Sequence, residues 1–311
     1  MLKEIWLITG GAGNLACQLT YRLAASDRTI VLFDIADQPV ADTADGCKYI
    51  QGDISNPADI AHVFEHARPD VVVHFASLLS GRSESDRGLA WRVNMDGAFE
   101  LFEQSLQYNV NRFFFPSSVA SFGAPLPNPV PEDFPQWPIG FYGVTKACIE
   151  RLGIYYHERH GLDFRCIRVP IVVSPWAHAG AASSYASMAF IESMRNGQFT
   201  FRVRPQSHPA LIYIDDLTRA VVELCEAPAE QLTRRCYNVQ ALSPSSTDLA
   251  EAIRARIPNV EVTFETDPKI ADLIDSWPVQ FEDASARSDW GWTPQFDLDS
   301  MANDFTLRLQ N

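Results

Sequence analysis

The residues whose spacing most directly suggests chemistry are Tyr142 and Lys146. Four positions apart on a helix, they lie on one face, one above the other. A phenol has a reference pKa near ~10 and is a weak base at neutral pH, but an ammonium beside it stabilises the phenolate and lowers that pKa. Such a tyrosine can take a proton from an alcohol or return one to a ketone. The same spacing occurs by chance in ordinary amphipathic helices. The choice between a catalytic pair and a chance pair therefore depends on the motifs in the rest of the chain.

Composition and charge restrict the function classes. At 311 residues the chain is long enough for a large core, in one big domain or two unequal ones. Its 46% hydrophobic and 21% charged residues are typical of a soluble globular protein. The net charge is −14 and Lys and Arg form no block, which argues against nucleic acid or an anionic membrane as the main partner. No apolar stretch reaches the ~20 residues of a membrane span.

The six cysteines are scattered without a C-x-x-C pair, and several stand in apolar runs. This pattern predicts buried free thiols in a reducing compartment. A strand-like run at residues 5–8 begins close to the N-terminus and leaves no room for a signal peptide. We therefore expect a cytoplasmic protein, and we predict no metal site.

A glycine-rich turn follows the first apolar run, Ile5–Thr9. Gly10 and Gly13 precede a helical pattern that begins at Leu15, and Ala16 stands where a further glycine is common. Strand, glycine turn and helix in this order are the context of a dinucleotide site. The glycines allow the backbone to approach a pyrophosphate, which sits at the positive helix N-terminus. A tight turn without a ligand is the alternative.

Two acidic residues follow the second and third predicted strands. Asp34 ends the run Thr29–Phe33, where a carboxylate can accept both ribose hydroxyls of an adenosine. It would repel a 2′-phosphate, so NAD is predicted rather than NADP. Asp53 ends the next strand and either faces the adenine amino group or caps a helix over 57–66.

Further polar and small residues lie at the same predicted sheet edge. Ala76 and Ser77 end the fourth strand and leave space for a cofactor, whereas His74 within it reads as a core histidine. Ser118 follows the fifth strand. Because ligands of open α/β sheets bind at the carboxyl ends of the strands, the Ser118 hydroxyl can hold the reacting oxygen beside Tyr142.

Alternating strands and helices over residues 1 to 170 predict a doubly wound parallel α/β sheet of Rossmann type, with helices on both faces. Segments at about 205–240 are expected to return to it. Residues 171–311 hold shorter elements and predict a smaller mixed α/β lobe, with the substrate between the two. Asn94, in a long predicted helix over 87–108, either braces the catalytic helix predicted at 141–160 or faces solvent.

Taken together, these motifs resemble the extended short-chain dehydrogenases/reductases of the epimerase/dehydratase superfamily. The motifs, in family order, are Thr9-Gly10-x-x-Gly13, Asp34, Asp53, His74-Phe75-Ala76, Asn94, Ser117-Ser118, Tyr142-x-x-x-Lys146 and Arg168-x-Pro170. Within this group the chain is most similar to the short-chain type of L-threonine 3-dehydrogenase. That similarity lies in residues 76–80, 89–97 and 116–123, in Asp275-Ser276-Trp277-Pro278 and in residues 283–292.

The resemblance implies roles for named residues. Tyr142 is expected to act as base, Lys146 to lower its pKa and bind the nicotinamide ribose, and Ser118 to orient the hydroxyl. The implied NAD contacts are Gly10, Gly13, Asn14, Leu15, Asp34, Asp53, Ile54, Phe75, Ala76, Ser77, Asn94, Ser117, Tyr142 and Lys146. The implied substrate contacts are Ser80, Ser118, Tyr142, Gly180, Ala182, Ser183 and Trp277. A homodimer is implied, formed through helices 87–108 and 141–160.

One segment departs from the threonine enzymes. Where they carry Gly-Thr-Thr-Asp-Tyr, this chain has Gly180-Ala181-Ala182-Ser183-Ser184-Tyr185, which is more like dehydrogenases of D-erythronate. The leading hypothesis is thus NAD-dependent oxidation of the 3-hydroxyl of a small hydroxy acid, with L-threonine first and a sugar acid second. A nucleotide-sugar epimerase, using Arg168, Arg195, Arg202 and Arg204, is a further alternative. A catalytically idle NAD sensor that binds a partner protein is another, and the presence of Ser118, Tyr142 and Lys146 argues against it.

Overall fold

The computed structural model describes residues 3–26 and 28–310, which include every predicted site residue. The strands are β1 (Glu4–Thr9), β2 (Arg28–Asp34), β3 (Lys48–Gln51), β4 (Val71–His74), β5 (Arg112–Ser118), β6 (Asp163–Val169), β7 (Ile171–Val173), β8 (Gln198–Phe201), β9 (Leu211–Tyr213), β10 (Cys236–Asn238) and β11 (Glu261–Phe264). The helices are α1 (Asn14–Ala24), α2 (Pro57–Ala67), α3 (Ser80–Ser85), α4 (Arg87–Ala90), α5 (Gly97–Gln107), α6 (Phe141–His160), α7 (Tyr185–Asn196), α8 (Ile214–Glu226), α9 (Ser246–Arg254), α10 (Pro268–Asp275), α11 (Ala284–Trp290) and α12 (Leu298–Gln310).

The main sheet has the order β10-β6-β5-β4-β1-β2-β3, and all neighbouring pairs are parallel. Parallel strands covered on both faces are almost continuously apolar, and Val71, Val72 and Val73 of β4 are fully buried. The strand order reverses between β1 and β4. At such a point the carboxyl ends of the strands open a crevice in which ligands bind. The predicted doubly wound α/β fold is confirmed.

Two separate cores fill the faces of the sheet. Successive side chains of a strand point to opposite faces, so Trp6 and Ile8 join one core while Leu7 joins the other. The first core packs against α1 and α8, and the second packs against α2, α5 and α6. Each large apolar side chain that is fully buried contributes roughly 1.5–3 kcal/mol. With both faces covered, the carboxyl edge remains the side open to a ligand.

The second part of the chain has a core of its own. Strand β7 pairs with β9, and β8 pairs with β11, in two small parallel pairs. Helices α7, α9 and α12 pack there through Phe190, Leu249 and Phe305. These elements form the smaller mixed α/β lobe that the sequence predicts, although the sequence pattern does not predict β7, β11 or α10 to α12. Over the described ranges, every helix is too short or too polar to serve as a membrane span.

The prediction of a single regular helix over residues 87–108 is wrong in detail. The structure has α4, then a π-helical segment at Trp91–Asp96, then α5. Such π segments occur frequently at functional sites. Here the segment contains Asn94, whose buried side chain bonds to Leu78 and Thr145. The interpretation of Asn94 as a solvent-facing residue is therefore excluded.

Helix α8 begins with two acidic residues, Asp215 and Asp216, neither of which is its N-cap. The N-cap position is Tyr213, and both acids lie in the first turn. Asp216 is buried, pairs with Arg219 and accepts the backbone N–H groups of Gln295 and Phe296. It therefore ties the segment before α12 to α8, a long-range role that no local pattern reveals.

The cysteines are free thiols, as predicted, but they are not all buried. Cys17, Cys166, Cys225 and Cys236 are buried, Cys47 is half-buried and Cys148 is exposed on α6. Burial raises the pKa of the Cys225 thiol to about 12. The pattern of apolar neighbours identifies the core thiols but not Cys148, because neighbours along a helix face in different directions.

Candidate active site

The three candidate catalytic groups come from two adjacent elements. Ser118 is the last residue of β5, while Tyr142 and Lys146 stand in the first two turns of α6. Helix α6 lies against the turn after β5 because Gly143 has no side chain: a Cβ there would lie 2.0 Å from the Ala120 carbonyl oxygen. This close approach places the Tyr142 phenol beside the Ser118 hydroxyl.

Lys146 is buried beneath the site. Its Nζ donates to the Pro116 carbonyl oxygen at 2.7 Å and lies 4.3 Å from the centroid of the Phe115 ring. The same nitrogen is 5.4 Å from the centroid of the Tyr142 ring. Burial lowers the pKa of Lys146 to about 7, because a low-dielectric environment disfavours the ammonium. Protonated and neutral forms are thus both populated near neutral pH.

The pKa of Tyr142 differs from the sequence-based expectation. Burial raises it to about 12, and the hydrogen bond with Ser118 opposes that rise. The expected lowering by Lys146 is not seen in this structure, because the ammonium is directed to the Pro116 carbonyl. Spacing on a helix predicts that two side chains share a face, but it does not predict the cost of burying them.

A buried ion pair between Arg168 and Glu150 connects strand β6 to helix α6, which carries Tyr142 and Lys146. Arg168 of β6 bonds to both carboxylate oxygens of Glu150 on α6, with its Nη2 at 2.9 Å from Oε2. Glu150 is fully buried and also accepts hydrogen bonds from the Ser117 hydroxyl and from Gln136. The Ser117 side chain therefore faces this network. Glu150, which sequence reasoning missed, links α6 to β5 and β6.

The glycine-rich turn fits a dinucleotide. Gly10 has a φ of +68°, and a Cβ on it would lie 2.6 Å from the backbone nitrogen of Ala76. A Cβ on Gly13 would lie 3.1 Å from the Gly10 carbonyl oxygen. Helix α1 starts directly after Gly13, so its N-terminal N–H groups point to the space in front of the turn. A pyrophosphate suits that position.

Asn14 and Leu15 connect this turn to the second lobe. The Asn14 Nδ2 donates to the Ser174 hydroxyl at 2.8 Å, whereas its buried Oδ1 has no hydrogen-bond partner among the described residues. Leu15 is partly buried and packs against a core of each lobe. The Asn14 side chain therefore keeps one polar atom without a protein partner beside the N-terminus of α1.

Asp34 occupies the end of β2 beside the same turn. Its Oδ2 accepts the Ala12 N–H at 3.1 Å, and its Oδ1 accepts the Ala36 N–H at 3.0 Å. Asp53 lies after β3, where its carboxylate accepts the backbone and hydroxyl groups of Ser55. The helix cap considered for Asp53 belongs to Asn56 instead. Ile54 is buried against Gly97, the first residue of α5.

Asp34→Ala should raise the KM for NAD roughly 10- to 100-fold, the range expected from losing charge-assisted hydrogen bonds of about 1.5–3 kcal/mol. It should also relax discrimination against NADP, because the carboxylate no longer repels a 2′-phosphate. Steady-state kinetics with both cofactors measure this. Asp37→Ala, an exposed acid three residues further on, is the control. An unchanged ratio of kcat/KM for the two cofactors would contradict the role given to Asp34.

Residues that follow β4 lie between the turn and the catalytic helix. Phe75 and Ala76 donate their N–H groups to the carbonyl and hydroxyl oxygens of Thr9. Ser77, Asn94 and Lys146 line one small internal cavity. His74 is buried with its Nδ1 2.7 Å from the Thr9 hydroxyl. Burial lowers the pKa of His74 to about 3, so it is a neutral core residue, as predicted.

The predicted substrate contacts lie in two groups. Ser80 begins α3, which packs against α6. Gly180, with a φ of +117°, leads into the 3₁₀ turn Ala182–Ser184, which lies against α10. Trp277 follows α10 and packs on the core of the second lobe, as Ala182 does. Ser80 therefore belongs to the lobe of the main sheet, whereas residues 180–183 and Trp277 belong to the second lobe.

Comparison with known proteins identifies the family. A family model described as the NAD dependent epimerase/dehydratase family matches residues 6–239. The chain belongs to this family. The predicted resemblance is confirmed, and the protein is an NAD-dependent enzyme that acts on a CH–OH group.

Several relatives cover almost the whole chain. The mitochondrial L-threonine 3-dehydrogenase of Bos taurus is 36% identical over 296 residues, 94% of this chain and 79% of its own length. The L-threonine dehydrogenase of Clostridium difficile has a structure with a TM-score of 0.92 and 30% identity, covering 99% of this chain and 98% of its own. A monomeric L-threonine 3-dehydrogenase of metagenomic origin has a TM-score of 0.90 and 29% identity, covering 98% of both chains.

Proposed function

We propose that the protein oxidises the 3-hydroxyl of a small hydroxy acid with NAD, and that the leading substrate is L-threonine, converted to 2-amino-3-ketobutyrate. The observation that carries the proposal is the grouping of Ser118, Tyr142 and Lys146 at the carboxyl edge of the sheet, beside a turn suited to a pyrophosphate. The similarity to threonine dehydrogenases over nearly the whole chain supports the same substrate class.

In the proposed reaction the alcohol loses its O–H proton to Tyr142 and its carbinol hydrogen as a hydride, leaving a ketone. NAD, when bound, supplies the hydride acceptor. Ser118, which lies beside the phenol, holds the substrate hydroxyl against Tyr142. The Lys146 Nζ lies 5.4 Å from the Tyr142 ring centroid, and it can stabilise a developing phenolate once its ammonium turns from the Pro116 carbonyl. In this proposal it also binds the nicotinamide ribose, as the family resemblance implies.

For NAD we propose the contacts predicted from the sequence, except that Ser117 contributes no side-chain contact. Gly10, Gly13, Asn14 and Leu15 face the pyrophosphate, and Asp34 faces the adenosine ribose. Asp53 and Ile54 border the adenine, while residues 75–77, Asn94 and Lys146 border the nicotinamide half. Ser117 can contribute backbone only, since its hydroxyl is used by Glu150.

The alternative substrate is a sugar acid of D-erythronate type. The segment at 180–184 carries two serine hydroxyls and no carboxylate, so it offers a hydroxyl group better partners than it offers an ammonium. We propose that Ser80, Gly180, Ala182, Ser183 and Trp277 contact the substrate from the two lobes.

A nucleotide-sugar epimerase is less well supported. A diphosphate needs available cations, and three of the four arginines considered for that role are already paired. Arg168 is buried with Glu150, Arg202 pairs with Glu265, and Arg204 pairs with both Asp272 and Asp275 on α10. Binding a diphosphate at these side chains would first require breaking those pairs.

For the organisation of the chain, we propose an NAD-binding unit formed by residues 1–170 with the segment at about 205–240, and a substrate-binding lobe formed mainly by 171–311. Strand β10 in the main sheet supports the return of the later segment. The free thiols, four of them buried, support a reducing compartment, the cytoplasm.

The assay that tests the function mixes purified protein with NAD and follows NADH absorbance, with L-threonine and D-erythronate offered separately. Turnover of threonine supports the leading proposal. Turnover of erythronate alone would show that segment 180–185 determines the substrate. Lack of turnover with both, together with turnover of a UDP-sugar and tightly bound NAD, would favour the epimerase.

We propose that a second copy of the chain packs on the outer face of α6. This face has a groove of about 540 Å³ lined by Met95, Gln136, Ala147, Cys148, Arg151, Leu152 and Tyr155. Phe99 of α5 and Tyr155 of α6 are each 50% exposed, and a second copy packed on these helices would cover both rings. The wild type should sediment as a dimer at micromolar concentration, and Phe99→Asp/Tyr155→Asp should be monomeric. A monomeric wild type, like the metagenomic relative, would contradict this.

A further inference from the structure

The catalytic helix receives a cap from another helix. The N-cap position of α6 is Gly140, which has no side chain to offer the N–H groups of the first turn. The N–H of Phe141 instead donates to Oε1 of Glu84 at 2.6 Å. Glu84 lies near the end of α3, and Tyr142 is the next residue after the capped one. A carboxylate at this position also interacts favourably with the positive end of the helix.

Helix α3 is held firmly enough to act as a support. The Asn94 side chain bonds to both the N–H and the carbonyl of Leu78, at 2.8 and 3.2 Å. The Ser83 hydroxyl also donates to that carbonyl. Asn94 further bonds to the Thr145 hydroxyl at 3.2 Å, and Thr145 donates to the Tyr142 carbonyl at 2.8 Å.

The segment from Leu78 to the end of α3 is therefore joined to α6 on both sides of the reacting phenol. One connection is Glu84 to Phe141, just before Tyr142. The other is Leu78 through Asn94 to Thr145, just after it. Ser80 starts α3, so the proposed substrate contact and the proposed base are carried by two helices tied together at these points. Small errors in the position of a reacting group reduce turnover strongly, since a displacement of about 1 Å can lower rates on the order of 100-fold.

We propose that Glu84 is a positioning residue for the reaction, which fixes the first turn of α6 and thereby places Tyr142 relative to the substrate held by Ser80. This inference rests on the roles proposed for Ser80 and Tyr142. The role depends on a side-chain oxygen that accepts the Phe141 N–H. A glutamine at position 84 also offers such an oxygen, so it should retain most of the function of Glu84.

The test compares Glu84→Ala with Glu84→Gln, with Glu65→Ala on α2 as a matched exposed glutamate. Glu84→Ala should lower kcat about 10-fold while the KM for NAD stays within about twofold, because the contacts that hold the adenosine half lie elsewhere. Glu84→Gln should recover kcat to within about threefold of the wild type. Glu65→Ala should behave as the wild type.

Hydrogen–deuterium exchange provides a readout that needs no substrate. Peptides covering 141–145 should exchange faster in Glu84→Ala than in Glu84→Gln or the wild type, while peptides from β1 and β4 should be unchanged. Unaltered exchange at 141–145 would overturn the inference, even if the wild type turned over none of the offered substrates and the proposed function failed. With an active wild type, a normal kcat in Glu84→Ala, or a loss in Glu84→Gln as large as in Glu84→Ala, would overturn it as well.

Discussion

Tyr142→Phe should lower kcat at least about 10³-fold, within the range that a general base contributes. The ring still fills its space above Lys146, but the group that accepts the proton from the alcohol is gone. The active form has Tyr142 deprotonated and Lys146 charged, one proton fewer than the fully protonated pair, so kcat of the wild type should rise as the pH increases through the Lys146 pKa of about 7 and then level off. Stopped-flow and steady-state measurements of NADH formation measure both effects.

The control for this change is Tyr155→Phe, a half-exposed tyrosine on the outer face of the same helix, which should retain wild-type kcat. NAD affinity, measured by calorimetry, should stay within about threefold in Tyr142→Phe, since only one proposed NAD contact is lost and the glycine-rich turn is untouched. Retention of more than a tenth of the activity would show that another group takes the proton.

Removing Glu150 should destabilise the protein by about 3–5 kcal/mol, because Arg168 is left buried with its main charge partner gone. Few single substitutions have effects this large. Glu150→Ala also removes acceptors of the Ser117 hydroxyl and Gln136, and so disturbs the strand that carries Ser118. Urea denaturation followed by circular dichroism gives the free energy of unfolding.

A double variant shows whether the cost comes from losing the Glu150–Arg168 pair or from leaving the Arg168 charge buried alone. Glu150→Leu/Arg168→Met replaces both partners with apolar side chains of similar size and should recover most of the lost stability. If Glu150→Ala unfolds within about 1 kcal/mol of the wild type, or the double variant is no better than the single one, then the pair does not have the importance that its burial indicates.

The sequence predicts those features that depend on local pattern. The apolar runs, the glycines at 10 and 13, and the bounds of α6 all follow from residue types at short spacing, and the order of strands and helices then determines the sheet. Seven strands spread over more than two hundred residues come together, among the described residues, as the alternation of elements predicts.

Other features depend on contacts between distant segments, which a local pattern does not contain. The π segment around Asn94 forms where a polar side chain reaches Leu78 and Thr145. Glu150 reads as one more polar residue on a helix, and only β6 reveals its partner. The pKa of Tyr142 is the clearest case, because helical spacing places Lys146 on the correct face but does not show that its ammonium bonds to Pro116.

The turn Ala182–Ser184, part of the proposed substrate contact, contains no buried residue. The proposed proton-transfer residues, by contrast, lie between residues 118 and 146 and are held by buried groups in the other lobe. Because its residues are only partly buried, substitutions in the turn should cost less folding stability than substitutions among those buried groups, and they leave the reacting groups where they are. Natural selection can change the substrate of such an enzyme in small viable steps while its redox chemistry stays the same, and a laboratory library confined to this turn has the same freedom.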